Sequence, residues 1–307
     1  DFAKSFLTRN NTLMCVDEST TIKNHSAART KNIIKIAELA KYRRIMTGSP
    51  VTKSPLDLFS QVQFLDPWLL EQQSYYGFRA RYAVIVQRSV GTHSFQHIVK
   101  YQRLDELQEK IQHFSTRVLK SDCLDLPEKV YTKRSVSLTT EQVKAYTEMK
   151  KAAITFFEEN VMTAASVLTQ MIRLHQIICG HVKTDDGEVK SIKSNRIKEL
   201  LEVLEETDGK VIIWAVYRYD IQEIERTLGE KYGKESVATY YGDTKDNLRQ
   251  SIVDRFMDAN DPLRFFVGNP KTGGYGLTLT SSHTVVYYSN DYSLEVRLQS
   301  EDRAHRI

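Results

Sequence analysis

Lys210-Val211-Ile212-Ile213-Trp214 opens the stretch that decides the fold class. An unbroken apolar run this short, rich in β-branched residues, reads as a strand buried on both faces. A helical pattern follows over 221–228, then a strand at 238–241 ending on Gly242, and a helix over 248–257. Further strands are expected at 264–267 and 285–288, and a helix at 197–204 precedes the run. Strands alternating with helices at this spacing predict a parallel sheet covered by helices. The same pattern recurs near the start. Leu13-Met14-Cys15-Val16 reads as a buried strand ending in Asp17-Glu18, residues 29–41 place Ile33, Ile34, Ala37 and Ala40 at helical spacing, and Arg44-Ile45-Met46 runs into Thr47-Gly48-Ser49-Pro50. Between these regions the texture is helical, as in the amphipathic 104–111, with one possible strand at 82–87 and long helical patterns over 139–157 and 164–178. The expectation is an α/β chain of two parallel-sheet lobes: 1–66, then a mostly helical insertion over 67–127, then 128–307 with its own helical insertion near 139–178.

Composition narrows the function classes. The 307 residues suit about two domains, and 41% hydrophobic with 27% charged residues is the ordinary globular balance. No run of about 18 apolar residues predicts a membrane-spanning helix, and Asp1-Phe2-Ala3-Lys4 lacks a secretory signal pattern. A net charge of +4 is too mild to decide for or against a nucleic-acid partner, because the placement of charge matters more. Cys15, Cys123 and Cys179 form no CxxC pair, which fits a reducing compartment, cytoplasmic or nuclear. His175, Cys179 and His181 lie close in sequence, but three candidates without a fourth favour packing over zinc ligation.

Asp17-Glu18 at a strand tip suits nucleotide hydrolysis: one carboxylate can hold Mg²⁺ on the phosphates and the other can orient the attacking water. Alone, the pair more often marks a solvated turn. Its continuation, Asp17-Glu18-Ser19-Thr20-Thr21-Ile22-Lys23-Asn24, resembles the Asp-Glu box of Swi/Snf-like DNA-dependent ATPases, commonly DEAHxIKN. It departs at Thr20, where that family usually has His. Thr47-Gly48-Ser49-Pro50 resembles the family's next motif, TGTP or TGSP, and Leu126-Pro127-Glu128-Lys129 its LPxK. Leu174 to His181 is similar to its "LRqicnH" helix end, and Tyr241-Gly242-Asp243-Thr244 with Arg249 and Phe256 to its "GxT…R…F" block. The glycine-dense Gly273 to Thr280 can bring backbone close to phosphates. It is followed by Gln299-Ser300-Glu301-Asp302-Arg303-Ala304-His305-Arg306-Ile307, which resembles QAxDRAHRI. Tyr292-Ser293-Leu294 stands where the family has Trp-Asn-Pro, and Phe78-Arg79-Ala80-Arg81-Tyr82 is nearest the annealing-helicase branch.

The resemblance implies two RecA-like lobes that bind ATP and Mg²⁺ between them. Asp17 would hold the metal and Glu18 the water. Gly274, Gly276 and Gln299 would touch the nucleotide, and Arg303 and Arg306 would act as arginine fingers. Their i, i+3 spacing, read as one helical turn, would aim both at one phosphate. Lys23, Thr47, Gly48, Ser49, Gly273 and Thr280 would couple hydrolysis to a DNA backbone. The implied activity is an ATP hydrolase that translocates on duplex or branched DNA, sequence-tolerant and salt-sensitive. The alternatives are an ATPase-deficient DNA-binding or regulatory scaffold, and a strand-separating helicase, which the LPxK block and the DRAHRI ending disfavour. The sequence holds no G-x-x-x-x-G-K-[ST] phosphate loop, and Asp17-Glu18 lies too near the start to leave room for one upstream. The chain is therefore expected to be part of a longer protein and inactive by itself.

Overall fold

The computed structural model describes residues 2–90, 93–159, 164–184, 186–273 and 276–306. They divide into two units, Asp1–Cys123 and Leu124–Ile307. In the first, β1 (Leu13–Val16) pairs in parallel with β2 (Tyr42–Ile45), and the helix Ala28–Ala37 makes the crossover. The β1–β2 pleat sends Met14, Val16 and Ile45 toward Ile22, Ala37 and Phe64, while Leu13, Cys15, Tyr42 and Arg44 are exposed. The apolar run of β1 is thus covered on one face, where its sequence suggested two. Helix Leu58–Leu65 buries six of its residues. It is entered through a turn with a capping box, in which Ser54 and Asp57 satisfy each other's backbone N–H groups and Pro55 takes the first position.

The segment after that helix is less helical than its sequence suggested. Helix Tyr75–Tyr82, capped by Ser74, leads into an antiparallel hairpin of β3 (Ala83–Val90) and β4 (His93–Tyr101), and helix Leu104–Gln112 follows. Val84, Ile85, Val86, Phe95, Ile98 and Val99 supply the β-branched and aromatic content that a pleated surface favours. Phe78, Tyr82 and Leu107 join Phe59 and Val62 in one core. Glu106 sits at its edge, accepting from Arg81 Nε at 2.7 Å and from the Tyr82 hydroxyl at 2.8 Å.

In the second unit, β5 (His181–Lys183) and β6 (Val189–Ser191) form a small antiparallel pair. The main sheet comprises β7 (Lys210–Trp214), β8 (Val237–Tyr240), β9 (Phe265–Gly268) and β10 (Ser282–Tyr287), all parallel, in the order β10-β7-β9-β8. Val211 and Ile213 face a cluster with Leu200, Leu204, Ile221, Ile224 and Leu228. Ile212 and Trp214 face the other side, with Phe256, Leu263, Phe266 and Leu279. The four apolar side chains of β7 are 0% exposed, so this run is covered on both faces as its composition predicts. The α/β expectation of parallel sheets holds. No described helix is long and apolar enough to cross a membrane.

The Glu106 contacts generate a pH prediction. Hydrogen bonds from Arg81, then Tyr82, hold its carboxyl at about 2 instead of the usual 4.5. A depressed folded value stabilises fully above the unfolded value and is lost as pH falls through the folded one. The first unit should therefore lose stability between about pH 4.5 and 2 more steeply than a Glu106→Gln variant, in thermal melts followed across that window. Parallel pH profiles of the two proteins would refute the assignment.

Candidate functional site

Residues with site chemistry gather at the carboxyl end of β1. Asp17 is exposed and accepts from the Glu18 N–H at 2.9 Å. Glu18 lies in the left-handed region, φ 50° and ψ 56°, a conformation that costs a side-chain-bearing residue about 1–2 kcal/mol. It swings the chain from the strand into the 3₁₀ turn Ser19–Ile22. The Ser19 N–H donates to the Met46 carbonyl at 3.1 Å, and Met46 N–H to Val16 at 2.9 Å. These bonds set the carboxylate pair beside the Thr47–Pro50 loop. In that loop the Ser49 N–H donates to Thr47 Oγ1 at 3.2 Å. Gly48 is exposed, with nothing within 4 Å of a Cβ placed there, so the fold itself does not require glycine at this position.

A side chain the sequence reading passed over locks the two motifs together. Gln61 is 0% exposed. Its Oε1 accepts from Ser19 Oγ at 2.6 Å, and its Nε2 donates to the carbonyls of Pro50 and Asp57, both at 2.8 Å. No local signal singles it out, since Ser60 and Gln63 are polar on the same helix. A second tie runs through Lys23, whose ammonium donates to Thr52 Oγ1 at 2.5 Å. Thr52 Oγ1 in turn donates to Asp57 Oδ2 at 3.0 Å, an oxygen that also accepts from the Lys53 N–H at 2.8 Å. Lys23, expected on a DNA backbone, is thus half-buried and held against the Thr52 hydroxyl.

The second group lies beyond the carboxyl ends of β7 and β9, the usual place for a ligand on an open α/β sheet. Gly273 is glycine for packing: a Cβ there would sit 2.7 Å from the Trp214 ring. Gly276 is glycine for conformation, at φ 72° with open space around it. Gly274 lies outside the described residues, and Thr280 is half-buried.

Arg303 and Arg306 do converge, though not by helical spacing. The helix Leu294–Glu301 stops before them: the Arg303 and Ala304 N–H groups reach only the Ser300 and Glu301 carbonyls three residues back, and the Arg303 carbonyl accepts from the Leu279 N–H at 2.9 Å. Arg303 is 5% exposed. Its Nε donates to the Gln299 carbonyl and its Nη1 to the Leu277 carbonyl, both at 3.0 Å. Arg306 is exposed and reaches the same Leu277 carbonyl at 3.5 Å. The Gln299 Oε1 is buried without a hydrogen-bond partner among the described residues, an acceptor poised for a donor. The Pro127–Lys129 segment clasps this end of the chain: His305 Nε2 donates to the Pro127 carbonyl at 2.8 Å, and Lys129 lies 3.1 Å from Asp302.

The three residues set aside as packing groups are separately engaged. His175 Nδ1 is 2.8 Å from the Tyr217 hydroxyl, and His181 Nδ1 is 3.1 Å from the buried Asp220 carboxylate. Cys179 is buried, which pushes its thiol up to about 12. Among the described residues no group of three or more His, Cys, Asp or Glu is arranged to hold a metal. A lone carboxylate such as Asp17 fits Mg²⁺, which keeps most of its waters and takes phosphate oxygens as ligands.

Residues 3–183 match the family model of the SNF2-related domain, and residues 192–307 that of the helicase conserved C-terminal domain. Over 96% of the chain, the sequence is 28% identical to a provisionally named ATP-dependent helicase/translocase, YwqA, of Bacillus subtilis (strain 168), covering 31% of that protein. It is 25% identical, again over 96% of the chain, to the SWI/SNF chromatin-remodeling complex subunit snf22 of Schizosaccharomyces pombe, covering 18% of it. The solved Sulfolobus solfataricus SWI2/SNF2 ATPase core in complex with dsDNA is 25% identical, with a TM-score of 0.48, covering 99% of this chain and 64% of that one. The chain thus spans a third or less of these two curated relatives.

The Gln61 latch is testable by a double-mutant cycle on stability. Gln61→Leu should cost about 1–3 kcal/mol, since it strands buried partners. Combined with Ser19→Ala, it should show a coupling of about 0.5–3 kcal/mol in urea denaturation. Strict additivity would mean that the Ser19–Gln61 bond contributes nothing.

Proposed function

The chain belongs to the SNF2-related family, and we propose that it supplies motor residues of an ATPase that tracks along DNA, with a first lobe ending near 66, an insertion over 67–127 and a second lobe from 128. The observation that carries this is the junction of Asp17-Glu18 with the Thr47–Pro50 loop through the Ser19–Met46 backbone bond and Gln61. A carboxylate pair rigidly tied to a neighbouring exposed loop is what coupling hydrolysis to movement requires. In this reading Asp17 holds Mg²⁺, whose charge offsets that of the nucleotide phosphates. Glu18, fixed by its strained backbone, orients the attacking water. Thr47, Gly48 and Ser49 meet the DNA backbone, and Lys23 stiffens their loop from behind through Thr52. On the second lobe, Gly276 and Gln299 Oε1, which has no hydrogen-bond partner among the described residues, suit a nucleotide, Gln299 as acceptor for an N–H or hydroxyl donor. Gly274 belongs with them by sequence. Gly273 and Thr280 bring the loop to the DNA side. The contacts are with phosphates, so binding is sequence-tolerant and salt-sensitive on duplex or branched DNA.

The two arginines divide the work. Arg306, exposed at the loop edge, is the finger, and Arg303, buried on two backbone carbonyls, sets the shape of the loop. Steady-state DNA-stimulated ATPase assays of the full-length protein that carries this chain test these assignments together. Glu18→Gln should lower turnover by about 10²–10⁴-fold with nucleotide binding retained, because an amide keeps the shape but is no base. Wild-type turnover in this variant would remove Glu18 from the chemistry.

The arginine pair gives a separate contrast. Arg306→Ala should cut turnover by about 10³-fold or more without moving the melting temperature. Arg303→Ala should lower both, stranding buried carbonyls at a cost of about 1–3 kcal/mol. Equal melting temperatures for the two variants would show that Arg303 is no strut.

A further inference from the structure

Residues 72–104 contain no Asp or Glu, although acids make up 39 of the 307 residues, yet they hold Arg79, Arg81, Arg88, Lys100 and Arg103. Most of this span is helix Tyr75–Tyr82 and the β3–β4 hairpin. The register sorts the hairpin into two faces. Ala83 opposite Tyr101, Ile85 opposite Ile98 and Gln87 opposite Gln96 share one. That face is partnered: Ile98 and Tyr101 pack on the Phe78–Tyr82 core, and Arg79 donates to Gln96 at 2.5 Å. The other face carries Val84 opposite Lys100, Val86 opposite His97 and Arg88 opposite Phe95. From Val86 outward it is open: Phe95 is 46% exposed and Val86 37%, with Arg88, His97 and Lys100 exposed beside them. Arg81 is committed to Glu106, whereas Arg88 and Lys100 make no ion pair among the described residues. An uncovered sheet face bearing an aromatic ring directly opposite one cation and in line with a second, in a span free of acids, matches a polyanion that also offers flat apolar surface.

We propose that this face of the hairpin binds single-stranded DNA, with an unpaired base stacked on Phe95 and phosphates on Arg88 and Lys100. The assignment rests on the DNA-tracking function above and adds a second contact to it. A duplex keeps its bases stacked on one another and would leave the Phe95 ring facing water, while a single strand exposes a base face to any aromatic platform. Arg88 and Lys100 stand four positions apart along the strands, about 13 Å at the usual rise, so one strand can meet both.

Fluorescence anisotropy with a labelled oligothymidylate and with a duplex of equal length tests the proposal, using the whole protein and single Phe95→Ala, Arg88→Ala and Lys100→Ala variants. All three side chains are exposed, and unchanged circular dichroism and melting will show that the variants fold. Phe95→Ala should weaken single-strand binding about tenfold, leaving duplex binding and duplex-stimulated turnover unchanged. Arg88→Ala and Lys100→Ala should each lower the magnitude of the single-strand salt slope by about 0.7. Unchanged single-strand affinity in Phe95→Ala overturns the proposal. So does an equal loss on single strand and duplex, which would make the face a simple electrostatic patch, or Phe95-dependent competition by polyglutamate, which would assign it to an acidic protein. A protein that binds neither DNA form would instead count against the DNA-tracking function itself.

Discussion

The packing of Trp214 is the constraint on which the second unit depends. Its ring ends β7 fully buried and presses on the backbone of the next strand, so that a Cβ at Gly268 would meet it at 2.8 Å and one at Gly273 at 2.7 Å. Two glycines, one at the end of β9 and one at the head of the glycine loop, are therefore required by a single side chain. Because interiors are packed to near-crystalline density, no neighbour can give way cheaply. The loop starts where the ring allows it to start. Leu279 then anchors its far end in the same cluster, and Leu277 and Ala304 pack against that cluster. The ends of the loop are positioned by hydrophobic packing around one indole.

The first unit solves the same problem with polar contacts. Where the second lobe uses an indole, the β1 end uses Gln61, a group with one acceptor oxygen and two donor hydrogens, all of which find partners in two loops and its own helix. A buried amide is costly unless satisfied, so the partners are held to one arrangement. The chain has Thr20 where the resembling family usually has His, and Thr20 is itself buried. The cross-motif bond is made one residue earlier, by Ser19.

How much of this was legible follows from the length scale of each signal. β1 and β7 were readable to the residue, since four or five consecutive apolar side chains have few other interpretations. The β3–β4 hairpin was readable only in part: 82–87 reads as a strand, but β3 passes from four apolar residues into Gln87-Arg88-Ser89 and β4 shows no regular alternation, so the flanking helical patterns dominate. The covering of β1 on a single face was invisible, because burial on the second face depends on which elements lie across it. Asp17, Glu18 and the Thr47–Pro50 loop were found as separate local motifs, and the Ser19–Met46 bond shows them adjacent. Gln61 was missed because it lies 42 residues from Ser19, and nothing local marks a partner at that range.

The arginines near the carboxyl end show why residue type alone assigns no role. Arg297, Arg303 and Arg306 carry the same charge within ten residues of one another. Arg297 lies 3.4 Å from the centroid of the Tyr287 ring and donates to Glu301 at 2.6 Å, so its charge is balanced within the helix that bears it. Arg303 is buried, and its guanidinium donates to the backbone carbonyls of Gln299 and Leu277. Burying such a group is unfavourable unless it is closely satisfied, and the Leu277 carbonyl contributes to that only while residues 276–279 keep their position. Loop and arginine therefore fix each other. Arg306 shares the Leu277 carbonyl at a longer distance and remains exposed, so it can leave that contact at little cost. The arginine finger proposed above must move to meet a developing charge, so it has to start from a weak contact, and of these three arginines Arg306 makes the weakest.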